Sequence, residues 1–335
     1  MTYMEIAGKR IGMENTYIIS EIGSNHNQNI EQAKRLIRMS AEAGTDAVKF
    51  QLFDTDSLYK PSDKLYEIFK EIELNSDWLT ELKNCAHDNG QAFVVSPFDY
   101  KSLNILVDLD IDAIKWASSE TVKLAFLKKA ASINKPLIIS TGMCNLADVY
   151  EAMEVCLAEN NSQVALLHCS SLYPTEPKHV NIRSMETLMN AFKFPVGFSD
   201  HTLDSTASIV AIAKGAKIIE KHITLDRNMK GPDHFYAIEP KELVRFVQAI
   251  RDVEKMFGSQ KVEMLPEERK VARRDGIYAS TTLKEGEIIT DISIEVKRPA
   301  LGIDKRFIDV VIGSKVQRDV QSGSEITWKD INSNK

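Results

Sequence analysis

The sequence predicts an α/β protein: a closed (β/α)8 TIM barrel followed by a small, mainly β domain. Three observations lead there. Residues 17–256 repeat one pattern eight times, a short apolar run, a polar turn and a segment with helical periodicity. Strands alternating with helices imply a parallel sheet, and about 240 residues is the usual size of a closed barrel of this kind. An open doubly wound sheet, the rival arrangement, would carry a glycine-rich phosphate loop after its first strand. "EIGSNHN" at 21–27 is not such a loop, and no Walker sequence occurs.

The strand runs, in order, are "YIISEIG" (17–23), "AVKFQ" (47–51), "AFVVSP" (92–97), "AIKWAS" (113–118), "LIIST" (137–141), "VALLHC" (164–169), "PVGFSD" (195–200) and "KIIEKH" (217–222). Each is short, rich in Val, Ile or Phe, and closed by a turn. Amphipathic stretches lie between them, among them 30–44, 146–160 and 240–257. In the last of these, Leu243, Phe246, Val247, Ile250, Val253 and Phe257 recur at the three-and-four spacing of one helix face. Ser76, Asp148 and Asp204 stand where helix N-caps are expected. After Gly258 the texture changes. Residues 258–275 read as a charged, proline-containing linker, and 276–335 as short alternating runs broken by Gly, Pro and Asp. The expected boundaries are thus 1–257, 258–275 and 276–335. A β domain of some 60 residues has a marginal core and is expected to lean on the barrel or on a partner subunit.

Composition narrows the function classes. The 335 residues are 43% hydrophobic and 27% charged, with a net charge of −6. No basic stripe suggests nucleic-acid binding. No apolar run approaches the twenty or so residues of a membrane span, and the N-terminal residues lack a signal-peptide core. Cysteines at 85, 144, 156 and 169 form no C-x-x-C pair, which fits reduced thiols in a cytoplasmic protein. Cys169 follows His168, but neighbours on a strand face opposite ways, so the two make a poor nucleophile–base pair.

The C-terminal ends of barrel strands carry the active site in enzymes of this architecture, and here those ends are polar. In order they offer Glu21, then Asn25; Lys49 and Gln51; Ser96; Lys115 and Ser118; Ser140; Ser171 and Tyr173; Asp200 and His201; Glu220 and His222. A barrel built for stability alone would fill such positions with aliphatic residues. A buried lysine is costly without an anion, so Lys49 and Lys115 call for anionic partners. A carboxylate such as Glu21 could satisfy either one as a core salt bridge. The hydroxyls of Ser96, Ser118 and Ser140 beside them suit the phosphate and carboxylate of a small anionic substrate. A Schiff-base lysine is the alternative that aldolases on barrels exploit.

His201 and His222 end neighbouring strands and could share one divalent ion, leaving coordination positions for water and substrate. Two nitrogen ligands plus oxygens suit Mn²⁺ or Mg²⁺ as well as Zn²⁺. Asp233 and His234 follow on a loop over the same face, as candidates for acid–base work or for contacts to substrate hydroxyls. Asn25, Ser171, Asp200 and Glu220 are further candidate substrate-binding residues.

Taken together, "EIGSNHNQNIEQAKRLI", "GTDAVKFQ", "SPFD", "IKWASSE", "ISTGM", "LHCSSLYPT", "GFSDHT", "GAKIIEKHITLD" and "KGPDHFYAIEP" resemble the sialic acid synthase family, over nearly the whole chain. The tail resembles that family's antifreeze-like SAF domain. The resemblance implies condensation of phosphoenolpyruvate with an N-acyl-mannosamine-type sugar to a nonulosonic acid. It implies a domain-swapped homodimer and a manganese or magnesium ion held by His201 and His222. Phosphoenolpyruvate would be bound by Lys49, Lys115, Ser118 and Ser140, with Ser96 where many members have Thr. Glu21 matches the acid beside the reacting carbons, and Glu220 an acid behind the metal. Gln51, Tyr173, Asp233 and His234 match positions around the sugar, and Arg298 an arginine that reaches into the partner's site. Two departures concern the sugar: Ser171 stands where sialic-acid-making members have Asn, and Ser119 where Gly is common. A Schiff-base lyase and a non-catalytic carbohydrate-binding protein are the alternative functions.

Overall fold

The computed structural model describes residues 3–13, 15–271 and 273–332. Its chain divides into two compact units, Met1–Gly258 and Ser259–Lys335.

The first unit opens with an antiparallel hairpin, β1 (Met4–Ile6) and β2 (Lys9–Ile11). Eight parallel strands follow: β3 (Tyr17–Gly23), β4 (Ala47–Leu52), β5 (Ala92–Pro97), β6 (Ala113–Trp116), β7 (Leu137–Ser140), β8 (Val164–His168), β9 (Val196–Asp200) and β10 (Ile218–His222). They pair in sequence order, and β10 closes on β3 to complete the barrel. All eight predicted runs are strands of that barrel.

Alternation along each strand divides the residues between two cores. Outward-facing Ile18, Val48, Phe93, Ile114, Ile139, Leu166, Phe198 and Ile219 pack under the helices. Inward-facing Ile19, Ala47, Val94, Ala113, Ile138, Leu167 and Ile218 fill the bottom of the barrel, which β1 and β2 plug with Met4, Ile6 and Ile11. One step further along most of the same inward columns the residues become polar, at Glu21, Lys49, Ser96, Lys115, Ser140 and Glu220, so the barrel changes from a packed core to a cavity along its axis.

Several helices start where short polar side chains satisfy free backbone N–H groups. Asn29 caps Ile30–Glu42 by accepting from the Gln32 N–H. All three expected caps shift by a residue or more. Asn145 caps Leu146–Ala158, and Asp148 is the third helical residue, closing a capping box back onto the Asn145 N–H. The short helix at Ser76–Trp78 is capped by Asn75. Asp204 precedes the first residue of its helix by two, yet its carboxylate still accepts the Thr206 N–H at 2.8 Å.

The second unit holds two antiparallel pairs, β11 (Gly276–Ala279) with β12 (Ile294–Lys297) and β13 (Lys315–Val316) with β14 (Ile331–Asn332). They enclose a small aliphatic core that includes Ile277, Leu283, Ile289, Ile303, Val311 and Ile326. A short helix, Pro266–Val271, lies within the stretch expected to be linker.

Candidate active site

A cavity of about 450 Å³ occupies the C-terminal end of the barrel. Its walls include Glu21, Lys49, Gln51, Ser96, Lys115, Ser118, Ser140, Ser171, Tyr173, His201, Glu220, His222 and Asp233. Thirteen side chains expected from the sequence to form the site therefore meet in one space. Strand geometry explains most of this. Lys49 and Gln51, or Glu220 and His222, are two residues apart and share the inward face.

Two lysines and two carboxylates form the floor. Lys49 Nζ lies 2.8 Å from Glu21 Oε2 and 3.7 Å from Glu220 Oε2. Lys115 Nζ lies 3.9 Å from Glu220 Oε2 and donates to Ser140 Oγ at 2.6 Å and to the Trp116 carbonyl at 3.3 Å. Gln51 Nε2 donates to Glu21 Oε1 at 2.6 Å, and Ser199 Oγ to Glu220 Oε1 at 2.9 Å. The two acids are driven apart. Burial acts to raise Glu220, but Lys115, Lys49 and the Ser199 hydroxyl outweigh it and hold the carboxyl down at about 2. Glu21 is pushed up, by burial first and by the charge of Glu220. The lysines differ as well. Burial works against the charge of Lys49, yet Glu21 and Glu220 raise its pKa above the usual value. In Lys115 burial wins and lowers it.

Along one wall, Lys49 approaches Ser96 Oγ at 3.4 Å, and the Gly142 N–H donates to Ser118 Oγ at 3.0 Å. A Cβ on Gly142 would stand 2.5 Å from Ser171 Oγ, 2.8 Å from Ser118 Oγ and 2.9 Å from Cys169 Sγ. Glycine is what lets three strand-end side chains converge here.

The opposite wall is aromatic. The ring centroids of His201 and His222 are 5.5 Å apart, with Tyr173 4.2 Å from His201 and Tyr236 5.0 Å from His222. Burial pushes both histidines down to about 4, the neighbouring imidazole adding to the effect at His201. Both are therefore neutral bases at pH 7, the form that ligates metals. His201 Nδ1 lies 2.7 Å from the Ser170 carbonyl oxygen, which can only accept, so Nδ1 carries the proton and Nε2 presents its lone pair. The charge balance points the same way: Glu21, Glu220 and Asp233 face two ammonium groups, which leaves one negative charge unmatched. Two neutral imidazoles beside a net-negative wall fit a divalent cation with open coordination positions. No group of three or more His, Cys, Asp or Glu side chains among the described residues could enclose one.

Four expected site residues lie elsewhere. Asn25 is fully buried, its Nδ2 donating to the Ile223 carbonyl at 2.8 Å, so it braces the end of β10. Asp200 faces outward beneath a helix, where it pairs with Lys221 at 3.2 Å and accepts from Ser208 and Thr202. Its neighbour His201 faces inward, as alternation requires. His234 has both ring nitrogens engaged, Nδ1 with Thr224 Oγ1 at 2.6 Å and Nε2 with Asn27 Oδ1 at 2.9 Å, and it does not line the cavity. Arg298 belongs to the second unit, where it donates to Asp275 at 2.7 Å. Ser199, Tyr236 and Cys169 line the cavity and were not anticipated as site residues. Parity signals Ser199, two positions before His201; nothing in the spacing of "GPDHFY" singles out Tyr236. No helix among the described residues is long and apolar enough to cross a membrane.

The NeuB family model matches residues 36–262, and the SAF domain model matches residues 274–332. The chain is 37% identical over 320 residues to N,N'-diacetyllegionaminic acid synthase of Campylobacter jejuni, covering 90% of this chain and 96% of that one. It is 34% identical to the enzyme of the same name from Legionella pneumophila, covering 94% of each. Among solved structures, N-acetylneuraminic acid (sialic acid) synthetase from Leptospira borgpetersenii, in complex with citrate, superposes with a TM-score of 0.76 at 30% identity, covering 81% of this chain and 95% of that one. The chain is a member of the NeuB family, a TIM barrel with a C-terminal SAF domain, and the three relatives described above are synthases of nonulosonic acids.

Proposed function

We propose that the protein condenses phosphoenolpyruvate with an N-acyl-mannosamine-type sugar, giving a nonulosonic acid and inorganic phosphate. The observation that carries this reading is the convergence of Lys49 and Lys115 with the hydroxyls of Ser96, Ser118 and Ser140, facing neutral His201 and His222 across one cavity. The lysines and serines form a cradle for a phosphate and a carboxylate on a three-carbon frame, held in one orientation. A divalent ion, Mn²⁺ or Mg²⁺, held by His201 and His222 would polarise the aldehyde oxygen of the open-chain sugar.

The chain's own residues account for the rest. Bond formation from carbon 3 of phosphoenolpyruvate to the aldehyde carbon leaves positive character on carbon 2. Glu21 stands beside Lys49, buried and placed to stabilise that charge, and its raised pKa suits it to take a proton from the water that adds to carbon 2. The proton taken up by Glu21 passes to the alkoxide formed from the aldehyde, and the tetrahedral adduct then collapses to the ketone by C–O cleavage, its hydroxyl proton leaving with the phosphate. Glu220, held ionised, keeps both lysines charged and in place. Asp233, with Tyr173 and Gln51, lines the side left for sugar hydroxyls. The names of the Campylobacter and Legionella relatives favour a 2,4-diacetamido-trideoxy sugar as acceptor.

The depressed pKa of Lys115 favours a second reading, a Schiff-base lyase. Borohydride trapping with pyruvate separates the two, because a covalent adduct on Lys115 belongs to the lyase alone. The direct test incubates metal-stripped protein with phosphoenolpyruvate and each of three sugars: N-acetylmannosamine, the diacetamido precursor of legionaminic acid, and that of pseudaminic acid. Phosphate release matched by a nonulosonic acid in the mass spectrum, restored by Mn²⁺, is the expected result. Full activity without metal, or no product from any of the three, overturns the proposal.

A further inference from the structure

His201 owes its tautomer to the backbone: the Ser170 carbonyl fixes its Nδ1 proton, and no single side-chain change removes that acceptor. Among the described residues, no carbonyl takes that role for His222. Its Nδ1 faces the hydroxyl of Tyr236, 3.3 Å away. The same hydroxyl is 2.8 Å from Asp233 Oδ1. A phenol has one proton to give, and an ionised carboxylate can only accept. The phenol proton therefore goes to Asp233, and the oxygen's lone pair is left for His222. Only an Nδ1–H imidazole can use it. The chain of donors thus runs from His222 Nδ1–H to Tyr236 Oη–H to Asp233 Oδ1.

The far end of that chain is anchored. Asp233 Oδ2 accepts from Ser24 Oγ at 2.9 Å and from the Ser24 N–H at 3.3 Å. Tyr236 is itself 2% exposed and packed edge-on against the His222 ring. It is held there by the short helix His234–Tyr236 and by the Ala237 N–H bonded back to the His234 carbonyl.

We propose that Tyr236 is a positioning residue: it locks His222 in the Nδ1–H tautomer, so that Nε2 presents its lone pair to the cavity, and it ties that ring to the carboxylate of Asp233. Fixing a ligand histidine through the hydrogen bond on its other nitrogen is a general device of metal sites, worth about 10–100-fold in affinity. Here a tyrosine stands between the imidazole and the carboxylate. The inference rests on the cation site proposed above.

The test uses the full chain with nitrogen-15-labelled histidine, metal-stripped, as wild type and as Tyr236→Phe. The phenylalanine keeps the buried ring and loses only the hydroxyl. Two-bond proton–nitrogen spectra report the tautomer of each of the seven histidines, with His222→Asn used for assignment. Wild type should show His201 and His222 both as Nδ1–H. Tyr236→Phe should leave His201 unchanged, convert His222 to a mixture, and weaken Mn²⁺ binding, read by electron paramagnetic resonance titration, by about 10–100-fold. Its kcat should fall with the KM for phosphoenolpyruvate unchanged. An Nε2–H form of His222 in wild type overturns the inference whether or not the variant folds. So does a variant with unaltered His222 tautomer and Mn²⁺ affinity. Failure of wild type to bind Mn²⁺ at all would instead count against the cation site, while the tautomer result still decides the role of Tyr236.

Discussion

At the scale of single residues, the cavity is built by what small and buried side chains permit. Gly142 is the sharpest case. An alanine there would drive its methyl into Ser118, Ser171 and Cys169, displacing one hydroxyl assigned to phosphoenolpyruvate and one assigned to the sugar. Gly142→Ala should fold and should raise the KM for both substrates several-fold, measured by steady-state phosphate release. Wild-type constants for both would mean that those hydroxyls do not touch substrate. His26 shows a different constraint. It is 1% exposed, its Nδ1 accepts the Gln28 N–H at 3.1 Å, and burial pushes its pKa from 6.5 down to about 4. Between those two values the unfolded chain binds a proton that the folded chain refuses, so the contribution is complete above pH 6.5 and is lost as pH falls toward 4. His201 and His222 act in the same direction. In urea titrations of metal-stripped protein, the unfolding free energy of His26→Gln should fall less between pH 7 and pH 5 than that of wild type. Parallel losses would show that His26 takes up its proton in the native state.

At the scale of elements, alternation within β9 and β10 does two tasks at once. His201 and His222 face the cavity, while Asp200 and Lys221, paired in register, face outward and join the two strands beneath the helix Thr206–Ala213. Lys221 also donates to the Thr202 and Asp204 carbonyls, so this ion pair fixes the loop that follows His201. Removing one partner leaves a buried charge uncompensated. Lys221→Met should cost about 3–5 kcal/mol in urea unfolding, and adding Asp200→Asn should recover part of it. A loss below about 1 kcal/mol for the single variant would mean that the pair is solvated. The same alternation shows where the sequence was legible. Lys49 with Gln51 and Glu220 with His222 were readable as same-face pairs because their spacing is two. By that rule Asp200 could have been excluded from the cavity, since His201 beside it points in. Asn25 and His234 were not open to such exclusion. They lie beyond the strands, where parity no longer applies and backbone carbonyls or neighbouring side chains decide the direction. Tyr236 was illegible for the same reason. The helix caps shifted because several short polar residues cluster before each helix, and local backbone angles select among them.

At the scale of the whole molecule, the eightfold pattern identified the barrel because most strands carry the same vertical division, aliphatic below and polar above. Arg298 stands apart, in the second unit and exposed, with Asp275 as its partner. Were the second unit to enter a partner's cavity, as the resemblance implies, this arginine would serve the sugar rather than the three-carbon donor. Arg298→Ala should raise the sugar KM at least tenfold with little change in that for phosphoenolpyruvate. The reverse pattern, or no effect, removes the arginine from the site. The reaction itself is tested most directly by phosphoenolpyruvate carrying oxygen-18 in the bridge between carbon 2 and phosphorus, turned over with the accepted sugar. The proposed cleavage between carbon and oxygen would send the label into inorganic phosphate. Label retained in the nonulosonic acid would contradict that chemistry.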